Sequence, residues 1–149
     1  MTDVPAKVLR ERGERRRWGP IAATAGVAYF AIGVVFGALA GNSGSVQGLK
    51  AWRWAAFALS MVVFLLHVRF DHQRFRNALT TARHVAIGAA LGGFLLAAMA
   101  TARATLVEGT PQRLLVALIA WPLLTGVPAF IAAWILATLL ARLNLDQPA

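Results

Sequence analysis

Apolar residues occupy this chain in four long blocks, at 18–40, 51–68, 82–105 and 114–141, with short polar segments between them. A helix rises about 1.5 Å per residue, so about 20 apolar residues cross the hydrocarbon core of a bilayer. Each block is therefore long enough to span a membrane. The pattern predicts an all-α, four-helix transmembrane bundle with helices at about 18–40, 51–76, 82–105 and 113–142, preceded by a basic tail over residues 1–17. The connection 41–48, rich in glycine and serine, is expected to be a tight turn. So is Glu108-Gly109-Thr110-Pro111, with Pro111 just ahead of the fourth helix.

The second block departs from uniform apolarity in a regular way. Arg53, Phe57, Ser60, Phe64, His67, Asp71 and Arg74 recur at alternating steps of four and three and fall on one stripe of a helix. Charged groups at membrane depth face the bundle interior or water and are paired. The stripe is therefore expected to face inward, with Asp71 placed to bridge His67 and Arg74. The third helix is expected to start at a Thr80 or Thr81 cap and to pack against the second as an antiparallel hairpin. His84 then joins His67, Asp71 and Arg74 in one polar cluster, the candidate site.

Three smaller patterns add to this. Gly33, Gly37 and Gly41 form G-x-x-x-G-x-x-x-G on the first helix, and Gly88 and Gly92 repeat the spacing on the third. Such faces let helix backbones approach closely, within the chain or between copies. The fourth helix holds Pro122, Gly126 and Pro128, which are hinge or kink candidates, with Thr125 expected to satisfy a freed carbonyl. Trp18, Trp52, Trp54, Trp121 and Trp134 suit the two interfacial belts.

A net charge of +9 would suggest nucleic acid in a water-soluble protein. In a membrane protein it bears on orientation instead, because cytoplasmic segments are enriched in Lys and Arg. With four alternating crossings, Lys7, Arg10, Arg12, Arg15, Arg16, Arg17, Arg69, Arg74, Arg76, Arg83 and Arg142 fall on one side. Lys50, Arg53, Arg103 and Arg113 fall on the other. Both termini are therefore expected in the cytoplasm. Arg15, Arg16 and Arg17 would lie against anionic lipid headgroups, and no nucleic-acid partner is expected. Arg15-Arg16-Arg17-Trp18 and Ala38-Leu39-Ala40 are also features of export signals, but the apolar run exceeds the 7–15 residues of a signal core. The first helix is expected to be retained. Arginine greatly outnumbers lysine, and alanine and glycine are abundant, a coding bias of GC-rich bacterial genomes, so the expected location is a bacterial inner membrane.

The chemistry of the chain is sparse. Cysteine is absent, and no Asp or Glu lies deep in an apolar block. Ser60 and His67 are about 10.5 Å apart along a helix, too far for a nucleophile–base pair. No zinc-protease, hydrolase or phosphate-loop motif occurs. The expectation is a non-enzymatic assembly, interaction or accessory subunit that contacts other membrane subunits, or itself, through its glycine faces. One alternative is a small carrier or channel built on the His/Asp/Arg cluster. Two further alternatives are a b-type haem with His67 and His84 as axial ligands, and a divalent metal on His67, Asp71 and His84.

Overall fold

The computed structural model describes the backbone of residues 4–108 and 112–145, and the side chains of residues 18–105 and 116–143. Gly109, Thr110 and Pro111 of the expected last turn lie outside the described residues, as do the side chains of Arg15, Arg16 and Arg17. The fold is all-helical: α1 (Val4–Gly41), α2 (Val46–Phe75), α3 (Ala78–Glu108) and α4 (Gln112–Leu145). Each contains a stretch long and apolar enough to cross a membrane: Trp18–Gly41, Val46–Phe75, Ala78–Thr105 and Val116–Leu143. Outward-facing residues include Val27, Leu66, Ile119, Leu124 and Ile131. That distribution suits a multi-pass membrane protein, whose surrounding solvent is itself apolar.

The helices outrun the expected boundaries. α1 begins at Val4, so the polar tail continues the first span as helix for about 21 Å. Hydropathy alone marks only the apolar part. α2 starts at Val46, where the Ser45 hydroxyl accepts from the Gly48 N–H at 3.0 Å. The first connection is therefore shorter than 41–48, and Gly44 takes a positive φ of 58° within it. α2 ends on Arg76 in the left-handed region (φ 48°), with its N–H donating to the His72 carbonyl. The cap of α3 is Asn77, not Thr80 or Thr81. Its side-chain oxygen accepts from the Thr80 N–H at 3.0 Å, and Thr81 is fully buried.

Side-chain pairings fix the directions. Trp18 meets His84, Gly26 meets Leu91 and Gly33 meets Leu96, so α1 and α3 run parallel. Asp71 meets His84 and His67 meets Gly88, so α2 runs antiparallel to α3, as expected for a hairpin. Trp121 meets Gly93 and Gly126 meets Ala86 and Ala90, so α4 is antiparallel to α3 as well. The start of α1 and the finish of α4 therefore lie at the same end of the bundle. α3 touches all three other helices, whereas α1 and α4 do not meet among the described residues. Val68, Ala82, Val85 and Ala133 form the core, with Phe64, Phe130, Leu136 and Leu140 packed around them.

Small residues set the α1–α3 spacing. A Cβ on Gly92 would lie 2.7 Å from Tyr29 Cβ and 3.1 Å from the Gly26 carbonyl oxygen. One on Gly88 would lie 3.2 Å from the Ala22 carbonyl oxygen. Gly33 receives Leu96, as Gly26 receives Leu91. Gly37 and Gly41 differ: nothing lies within 4 Å of either position. The sequence stripe is thus only partly used inside the chain. Gly93 and Gly126 do the same work between α3 and α4, with Gly126 against Ala90 and the Ala86 carbonyl.

Candidate functional site

The polar cluster forms where α1, α2 and α3 meet, at the end of the bundle that holds the start of α1. α2 turns His67, Val68, Asp71 and His72 inward there, and α3 contributes Thr81 and His84. His84 Nδ1–H donates to Asp71 Oδ2 at 2.9 Å, joining α2 to α3. The imidazole is closed in by two aromatic rings. Trp18 of α1 stacks on it at 4.9 Å with 2° between the planes, and Phe75 of α2 meets it edge-on at 4.9 Å. Three helices are therefore tied at one imidazole. Trp18, expected in an interfacial belt, serves as its lid. Trp54, Trp121 and Trp134 are exposed on the bundle surface.

The inward stripe holds for only part of α2. Asp71 is 0% exposed and His67 6%, but Arg53 and Arg74 are exposed and Phe57 is 57% exposed. Toward the start of α2, Arg53 borders an open crevice against α1 and not a packed interior. Asp71 bridges neither His67 nor Arg74. Its Oδ1 has no partner, both His67 ring nitrogens are unpartnered, and the Arg74 guanidinium lies 5.9 Å over the Phe75 ring. Long cationic side chains reach outward from a helix end rather than into the bundle. His72, off the stripe but expected around the cluster, and Thr81, expected only as a cap, both join it. Each is buried with an unpartnered side-chain atom. His72 directly follows Asp71, and the broad buried face 67/68/71/72 would have included it.

Among the described residues, no group of three His, Cys, Asp or Glu side chains is arranged to hold a metal ion. His67 instead packs its Cε1 edge toward Gly88, where an added Cβ would lie 3.1 Å away. It also lines a groove of about 580 Å3 between α1 and α2, with Arg69 and Gln73.

The proline region differs in one detail from expectation. α4 runs unbroken through Pro122 and Pro128. The Thr125 hydroxyl lies 2.9 Å from the Trp121 carbonyl and 3.3 Å from the Ala89 carbonyl of α3. The carbonyls that the prolines leave without an N–H partner are those four residues back, Leu118 and Leu124. Thr125 therefore links two helices, and does not serve those carbonyls.

No family model, curated protein or solved structure matches this chain.

Proposed function

We propose that the chain is a four-span protein of the bacterial inner membrane, with both ends cytoplasmic, that acts by association with other membrane helices and not by catalysis. The observation that carries this is the divided use of the α1 glycines. Gly26 and Gly33 receive α3 side chains, while an added Cβ on Gly37 or Gly41 would have nothing within 4 Å, beside an open crevice with Leu49 and Arg53 of α2. A small-residue face left unfilled in this way gives a second helix a close approach, where dispersion supplies the attraction. The closed setting of His84, held by Asp71 and covered by Trp18 and Phe75, supports a structural use of the cluster.

The test is Gly37→Leu. Its side chain has room within the monomer, so unfolding in detergent should match the parent. Copurifying membrane partners, or a cross-linked second copy, should be lost. Unchanged association after Gly37→Leu would overturn the proposal.

The unpartnered Asp71 Oδ1 and His67 nitrogens favour one second reading, a small carrier whose cluster exchanges a proton or solute. It requires Asp71→Asn to abolish flux in a folded protein. Full flux in that variant rejects it.

A further inference from the structure

The groove between α1 and α2 has a polarity gradient along its length. It runs from Pro20 and Gln73, near the end that holds the start of α1, to Ala28 and Val63, about 12 Å deeper. Its deep part is walled by alanine, valine and leucine side chains. Its outer part carries the exposed Arg69 and Gln73. Between these levels lies His67, 6% exposed, whose two ring nitrogens are buried and whose Cε1 edge packs toward Gly88 of α3, so that it forms part of the wall and offers the groove no polar atom. Volumes of 300–1,000 Å3 are typical of small-molecule sites, and this one is about 580 Å3.

We infer that this groove seats one acidic glycerophospholipid of the surrounding leaflet. The phosphodiester lies at the level of Arg69 and Gln73, and an acyl chain along Ala25, Ala28 and Leu66. Charge at one end only, an apolar remainder and a side open to the bundle exterior match an amphiphile that enters sideways from a bilayer. The inference rests on the membrane-spanning reading of the four helices. It is separate from the glycine face, because Gly37 and Gly41 border a different crevice with Leu49 and Arg53.

Native mass spectrometry of the full chain, delipidated in mild detergent and titrated with phosphatidylglycerol or phosphatidylcholine, tests it. One basic residue near a membrane surface contributes about 1 kcal/mol toward an acidic lipid, or about fivefold in affinity. The expected result is one retained lipid with about fivefold preference for phosphatidylglycerol. Arg69→Gln should remove the preference. Ala28→Phe and, as a second filling variant, Leu66→Trp should lower retention of both lipids with helical content unchanged. Replacing Arg15, Arg16 and Arg17 together by Gln should leave the retained lipid in place. Equal retention of the two lipids, or retention indifferent to both filling variants but lost with the tail arginines, would overturn the groove site. Sedimentation of the parent with membranes separates the two levels of the claim. Protein that stays membrane-bound while lipid selectivity fails rejects the groove alone, and protein soluble without detergent rejects the membrane reading as well.

Discussion

Asp71 and His84 are thirteen positions apart, yet they form the one side-chain hydrogen bond between α2 and α3 among the described residues. Removing one partner leaves the other buried and uncompensated. For a buried pair of this kind the loss is about 3–5 kcal/mol. His84→Ala should therefore lower the stability of the detergent-solubilised protein by about 3 kcal/mol, measured by denaturant or SDS titration. Arg74→Ala should change it by less than about 0.5 kcal/mol, because Arg74 is exposed and has no bond to Asp71. Equal effects of the two substitutions would restore the bridge that the spacing suggested. The three-and-four spacing of His67, Asp71 and Arg74 was readable as one helix face. Which of them is covered was not, because burial depends on Trp18 arriving from α1 and on how far an arginine can reach toward water.

The same division holds for the helices. Four helices long and apolar enough to cross a membrane were legible because about 20 apolar residues are required whatever the tertiary structure. Their ends were less so. The helical tail of α1 is polar, and α2 stops on Arg76 in a left-handed conformation that glycine or asparagine usually supplies. Glycine spacing identified α1 and α3 as close-packing helices but not how far the contact runs. Gly92→Ala should cost about 1–3 kcal/mol, because the methyl meets Tyr29 and a carbonyl and α1 must move away. Gly37→Ala should cost nothing and gain slightly from helix propensity. Parallel unfolding titrations distinguish them, and equal losses would mean that Gly37 is packed within the monomer. On α4, Thr125→Val should lose about 0.6 kcal/mol, the average for polar side-chain contacts between membrane helices. A neutral result would show that the hydroxyl serves only its own helix.

At the scale of the molecule, α3 is the hub, and α1 and α4 flank it without touching among the described residues. α1 and α3 run one way, α2 and α4 the other, so α4 finishes at the end of the bundle where α1 starts. Asn42, in the α1–α2 connection, and Asn77, in the α2–α3 connection, are both exposed and lie at opposite ends of the bundle. The chain contains no cysteine, so a single introduced thiol reports its own location. Labelling Asn42→Cys and Asn77→Cys in separate proteins with a membrane-impermeant maleimide is the most direct measurement. Asn42→Cys should react in intact cells, and Asn77→Cys only after the membrane is opened. Reaction of both, or neither, in intact cells would contradict a bundle that crosses the bilayer. Reversed accessibility would contradict cytoplasmic termini.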